Sequence, residues 1–247
     1  MIQHDRSRGP DMRLPLYRRV HDALAADIAA RALRPGEALP GEETLAARYG
    51  VALGTMRKAI EGLVAEGRLE RQHGRGTFVR RADFGNALFR FFRFTDTSGA
   101  PLRPTARLLS RKAARADAGM AAHLGLAPGA PTIELFRLRL VGSEKILAER
   151  IAVCGKRFAP LLTLVPDQFG DLLYPLYESA CGEIIARARE HLSFGTAAAP
   201  IAKALGLPRN APVAVVARTA FGHDGRPLEY RRSFGPAERF SYTVEIK

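Results

Sequence analysis

The sequence predicts two successive α+β domains: a small one of three helices and a hairpin, then a larger one around a largely antiparallel sheet with short helices. Three observations carry this prediction. The 247 residues suit two modest domains better than one small one. Apolar residues, 47% of the chain, are enough for two cores. Their spacing is helical up to about Gly67, then becomes strand-like, with short helical patterns interspersed.

The elements follow in order. "MIQHDRSRGPDM" is polar, carries Gly-Pro and has no apolar stretch of the secretory kind, so residues 1–12 are expected to be a disordered leader. "LPLYRRVHDALAADIAARAL" places Leu16, Val20, Leu24, Ala25 and Ile28 on one helical face, with Pro15 tolerated at its first turn. Pro35, Gly36 and Pro40 then break the helix. "GEETLAARYG" is a short helix whose first-turn Glu42 and Glu43 suit the positive end of the helix dipole. In "GVALGTMRKAIEGLVAEG" the residues Met56, Ile60, Leu63 and Val64 form one stripe, and Gly67 stops the helix. "RLERQHGRGTFVRR" holds two β-prone runs around a Gly-rich tip at His73–Gly76, a hairpin signal. Three helices and a hairpin at residues 13–81 make a winged helix-turn-helix, in which the third helix enters the major groove of DNA. Gly74 and Gly76 allow close backbone approach, and Arg75 between them suits a narrow, negative minor groove.

Residues 82–88 form a short junction. Beyond it, "LFRFFRFT" and "PTARLLSRKAARA" read as strands, and "DAGMAAHLGL" as a short helix capped by Asp117. "PTIELFRLRLVGSEKILAERIAV" reads as two strands turning at Gly142-Ser143, "FGDLLYPLYESAC" as a short helix interrupted by Pro175, and "GEIIARAREHLSF" as mostly strand. "TAAAPIAKALGL" is another short helix, and "APVAVVARTAFGHDGRPLEYRRSFGPA" a hairpin turning at His223-Asp224-Gly225.

Charge and composition narrow the function. The formal net charge is +13 with a pI of about 10.5, which points to an anionic partner. Residues 13–81 carry 13 basic and 8 acidic side chains, and residues 82–247 carry 23 and 15, so the basicity is shared by both halves. Arg outnumbers Lys 32 to 6, a bias that codon usage alone can produce. No apolar run approaches the roughly 18 residues of a membrane span. Cys154 and Cys181 form no metal or redox motif, so buried thiols in a reducing cytoplasm are expected. His123, His191 and His223 have no metal spacing, and neither Ser193 nor Ser233 has a His/Asp constellation beside it. No cofactor, metal site or catalytic residue is expected.

The segment from Pro15 to Val79 resembles the DNA-binding domain of the GntR family of bacterial transcriptional regulators. The resemblance rests on Pro15-Leu16-Tyr17, Pro35-Gly36, Leu39-Pro40, Leu45-Ala46, Tyr49-Gly50-Val51, Glu66-Gly67 and Gly74-Arg75-Gly76-Thr77-Phe78-Val79 at fixed spacing. It implies DNA contacts from Thr55, Arg57, Lys58, His73, Gly74, Arg75, Gly76 and Thr77. The departures fall on DNA-facing positions. Where the family has an Arg after its Pro-Ser-Glu, this chain has Glu43; the usual helix-capping Ser is Ala52, and a frequent base-reading Arg is Leu53. Loss of the cap typically costs about 0.5–2 kcal/mol. Loss of a bidentate Arg–guanine contact removes about 1–3 kcal/mol of discrimination. DNA binding with shifted sequence preference is the expectation.

Residues 89–247 resemble the UTRA effector domain, which has a chorismate-lyase-like fold. The carrying segments are "ELFRLRLVGSEKILAER", "ALGLPRNAPVAVVARTAF" and "DGRPLEYRRSF", and the pairing of domains is that of the HutC-type subfamily. The resemblance implies a homodimeric, ligand-responsive regulator, commonly a repressor. It also implies an effector site at Arg137, Arg139, Glu149 and Glu229, with Tyr230 a weaker addition and the loop Thr95–Ser98 offering hydroxyls. Arg137 and Arg139 are two apart on a predicted strand, hence on one face, where their guanidiniums suit a phosphate or carboxylate. The effector class is a small anionic metabolite: a phosphorylated sugar, phosphonate or carboxylate. An ion pair of the Arg137/Arg139 pair with Glu149 inside the sheet is the competing structural role. Two other functions are open to the sequence: a basic protein coating DNA without sequence choice, and a lyase-like enzyme domain fused to a DNA-binding head.

Overall fold

The computed structural model describes residues 14–29, 33, 36–80 and 104–240. The leader at 1–12, the junction at 82–88, the strand read at "LFRFFRFT" and the Thr95–Ser98 loop lie outside the described residues. The chain divides into two units, Met1–Arg81 and Ala82–Lys247.

In the first unit, α1 (Leu16–Ala29), α2 (Glu42–Tyr49) and α3 (Leu53–Ala65) precede a hairpin of β1 (Leu69–Gln72) and β2 (Gly76–Val79). The helical stripes meet in one core, with Leu24 and Ile28 from α1, Leu45 from α2, and Met56, Ile60 and Leu63 from α3 all buried, whereas Leu16, the first residue of the predicted α1 stripe, is exposed at the helix start. Leu69 and Val79, register partners across the hairpin, close it from below. Gly50 ends α2 in the left-handed region at φ +64°, which sets the turn into α3. Ala52 occupies the N-cap of α3 with extended backbone and supplies no side-chain cap bond.

The second unit contains β3 (Thr105–Arg115), α4 (Ala118–Leu124), β4 (Pro131–Val141), β5 (Glu144–Cys154), α5 (Leu173–Leu176), β6 (Arg187–Thr196), α6 (Ala199–Leu205), β7 (Pro212–Phe221) and β8 (Pro227–Pro236). The six strands form one antiparallel sheet in the order β3-β4-β5-β8-β7-β6. α5 continues into a wider turn of π-helix at Tyr177–Cys181, so the helical reading of "FGDLLYPLYESAC" holds despite Pro175. Asp117 caps α4 by accepting from the Met120 N–H at 2.7 Å. Cys154 and Cys181 are free and only half-buried.

Apolar clusters cover both faces of the sheet. On one face Ile133, Leu135, Ile151 and Val153 pack under Phe158, Leu161, Phe169, Leu173 and Tyr177 from the connection between β5 and β6. On the other, Leu138, Ala148, Val215 and Phe234 pack under Ile201, Ala202 and Leu205 of α6. Because side chains alternate along each strand, consecutive residues of β5 and β8 serve opposite faces.

Candidate functional site

In the first unit, the residues expected at DNA lie mainly on the surface. Arg57 and Lys58 on α3 and His73, Gly74, Arg75 and Gly76 at the wing tip are exposed, while Thr55 and Thr77 are half-buried. Gly74 and Gly76 adopt φ +70° and +109°, conformations that suit glycine and let the tip turn tightly. The recognition helix is not electrostatically free. The Arg57 Nε donates to Glu42 Oε2 on α2 at 2.7 Å, and Arg71 on the wing lies 3.5 Å from the same carboxylate. Glu42 therefore ties α2, α3 and the wing together on the predicted DNA face. Lys58 sits over the Tyr17 ring at 4.2 Å, and Arg75 over the Phe78 ring at 5.7 Å. Sequence reasoning assigned Glu42 to the helix dipole and missed its hold on Arg57; the two are 15 apart in sequence, and only the packing of α2 on α3 joins them.

In the second unit, four of the five predicted effector residues converge. Arg137, Arg139, Glu149 and Glu229 are buried on one face of the sheet, the last two at 0% exposure. Arg137 pairs in register with Glu149, and Glu149 with Ser233. The adjoining row runs from Ile151 through Arg231 and Arg218 to Glu190. Arg231 joins the two carboxylates: its Nε and Nη2 donate to Glu229 at 3.0 and 2.8 Å, and its Nη1 to Glu149 at 3.1 Å. The helical segment above donates as well, Tyr177 to Glu229 at 2.7 Å and Tyr174 at 3.1 Å. Arg218 donates to Glu190 at 2.7 Å and to the Tyr174 hydroxyl at 3.3 Å. Four guanidiniums meet three carboxylates here, and the Asp171 carboxylate acts on Arg139 from the rim.

The electrostatics follow from this crowding. Burial raises the cost of ionising Glu149, but Arg231, Arg137 and Arg139 outweigh it and hold its carboxyl below the usual range. Burial lowers Arg137 and Arg139 from the ordinary guanidinium value, with Glu149 opposing. Burial and the nearby Glu229 push the Tyr174 hydroxyl up to about 12. Arg137 Nη2 donates to the carbonyls of Gly170 and Asp171 at 2.7 and 3.2 Å. Arg139 donates to the Asp171 carbonyl and, at 3.2 Å, to that of Pro104. Arg137 Nε and Nη1, Glu149 Oε2 and Ser233 Oγ are buried with no hydrogen-bond partner among the described residues. All three side chains stand in one row across β4, β5 and β8, the kind of unmet polar demand that a bound ligand answers.

Tyr230 is not part of this arrangement. It follows Glu229 by one residue and so faces the other side of the sheet, where it stacks on His123 at 4.0 Å. Arg231 and Ser233, in phase with Glu229, are the neighbours that sequence reasoning missed. Period two from Glu229 would have found them.

A winged helix followed by a sheet domain with a buried cluster of arginines and glutamates defines a class: a DNA-binding regulator with a separate effector domain. A model of the gntR family of bacterial regulatory proteins matches residues 16–79 and a UTRA domain model matches residues 100–241. The chain belongs to the GntR family of transcriptional regulators, in its HutC-type, UTRA-bearing branch. It is 28% identical to the HTH-type transcriptional repressor NagR of Bacillus subtilis, over 93% of each chain. It is 25% identical to the "Probable fructoselysine utilization operon transcriptional repressor" of Escherichia coli K12, covering 94% of this chain and 95% of that one. The ligand-binding domain of a GntR-family regulator from Bordetella bronchiseptica superposes with a TM-score of 0.55 at 27% identity, covering 64% of this chain and 98% of that one. These families and relatives are transcriptional regulators, not enzymes. No helix among the described residues is long and apolar enough to cross a membrane.

Proposed function

We propose that the chain is a cytoplasmic homodimeric repressor whose operator affinity is set by a small anionic metabolite. The DNA-binding head is residues 13–81, the linker 82–88 and the effector and dimerisation domain 89–247. The observation that carries the effector site is the row Arg137–Glu149–Ser233, buried and with unmet polar atoms in all three members. An anionic group lies between Arg137 and Arg139, taking over from the Gly170 and Asp171 carbonyls, and Glu149, Ser233 and Glu229 receive the ligand's hydroxyls or amine. Phosphorylated sugars, phosphonates and small carboxylates fit this chemistry. Displacing the carbonyls moves the segment ahead of α5. Only a ligand that binds this altered state more tightly shifts the equilibrium. On DNA, Thr55, Arg57 and Lys58 hold the major groove, and His73–Thr77 the adjacent backbone or minor groove.

The test is a mobility shift on the DNA upstream of the chain's own gene, repeated with anionic metabolites. A specific complex that one of them weakens is expected. Absence of any specific complex at low salt rejects the DNA-binding role. In a thermal-shift screen with the same compounds, the stabilisation seen with an active ligand vanishes in Arg137→Ala. An unchanged shift removes Arg137 from the site.

A further inference from the structure

We infer that the face of the sheet opposite the buried cluster carries a second binding site, for a small organic anion with an aromatic or apolar body. Two neighbouring rows form its floor. One runs Phe136–Arg150–Arg232 and the other Lys112–Glu134–Ala152–Tyr230, each in direct register across the strands. α4 and the start of α6 supply walls through Met120, His123 and Pro200, and the groove measures about 630 Å³. That volume lies within the roughly 300–1,000 Å³ range of small-molecule sites.

The charge of the groove selects its ligand. Two carboxylates also line the groove: Glu134 answers Lys112 at 3.1 Å, and Asp117 caps α4 by accepting from the Met120 N–H. Arg150 and Arg232 are exposed and stand directly opposite each other on β5 and β8, and among the described residues neither meets a carboxylate. Like charges so placed repel, and an anion shared between them reverses the sign of that interaction. The Arg232 guanidinium carbon lies 5.0 Å from the centre of the Phe234 ring, a cation–π contact beside the groove. Beside this head-group site, Phe136, Met120 and the Tyr230–His123 stack offer a flat apolar bed. A second copy of the chain is a poor occupant, because apposed faces would bring arginine pairs together. The site is separate from the effector cluster, yet Arg150 follows Glu149, and Tyr230 and Arg232 alternate with Glu229, Arg231 and Ser233.

Titration calorimetry of the full chain tests this with phenyl phosphate, benzoate and inorganic phosphate. At least one aromatic anion binds tenfold or more tightly than inorganic phosphate, and the ratio of the two identifies the head group. The Arg150→Gln/Arg232→Gln double variant loses that binding tenfold or more. Tyr230→Ala weakens the aromatic anions but not inorganic phosphate, and Arg209→Gln, an exposed position outside the groove, leaves all three within twofold. The double variant melts no lower than the parent, because it relieves a repulsion. Arg150→Lys/Arg232→Lys retains binding, which separates charge from folding. Overturning results are no binding at millimolar concentrations, undiminished binding in the Gln double variant, loss in Arg209→Gln alone, or a changed sedimentation state in the Gln double variant, which would make the face a subunit interface.

Discussion

Arg231 shares its N–H groups between Glu149 and Glu229, all three buried on one sheet face. Replacing it with methionine leaves two buried carboxylates without their main counter-charge. Arg231→Met is therefore expected to cost about 3–5 kcal/mol, read as a lower urea midpoint for the second unit. Glu149 sets the pH response. Its carboxyl is held below the usual range in the folded state, so the stability it contributes is complete above the ordinary carboxylate range and is lost as pH falls through the depressed value. Melting curves below pH 5 should show this acid limb, and Glu149→Gln should flatten it. A limb of the same depth in the variant would assign it to other groups. That Arg137 and Arg139 share one face was legible from strand alternation, and the resemblance set Glu149 and Glu229 beside them, where the register puts them. Tyr230 stands on the other face because a resemblance carries no phase: one residue along a strand is the other side. Tyr174 and Tyr177 were not legible at all. They come from a helical segment more than 50 residues from Glu229, and only the tertiary fold brings them above it.

The third helix shows what an element tolerates. Its N-cap is Ala52, its first turn contains Gly54, and a Cβ at Gly54 would meet nothing within 4 Å. Ala52→Ser should add about 0.5–2 kcal/mol to the first unit, and Gly54→Ala up to about 1 kcal/mol, both read as raised melting temperature. If neither does so, the packing of Met56 and Ile60 already fixes the helix end. The ion pair at its surface acts on a different property. Glu42→Gln releases Arg57 and Arg71 from their shared carboxylate. Mobility shifts on operator and unrelated DNA should show binding gained on both, with the ratio between them reduced, because the carboxylate limits where Arg57 can reach. The three helices and the wing were readable because capping, periodicity and turn residues all agree there. The Glu42–Arg57–Arg71 contact was not, because helical patterns say which face is buried but not which surface charges meet across elements.

Across the whole molecule, basicity is divided between two units that use it differently. In the first, Arg57, Lys58 and Arg75 lie exposed. If they neutralise phosphates, operator affinity falls steeply with salt, and Arg75→Ala lowers the slope of log K against log[salt] by about one. In the second, arginines are locked into a buried network on one side of the sheet and stand exposed on the other. β5 and β8 are the shared wall: Glu149, Glu229, Arg231 and Ser233 face the buried network, and Arg150, Ala152, Tyr230 and Arg232 face the groove. This alternation constrains how the protein can change over generations. A point substitution edits one side and spares the other, so the two chemistries can drift independently. Inserting or deleting a single residue within β8 exchanges the two sides, burying Tyr230 and Arg232 and exposing Glu229, Arg231 and Ser233 together. The expectation is that this strand tolerates replacement far better than any change of length.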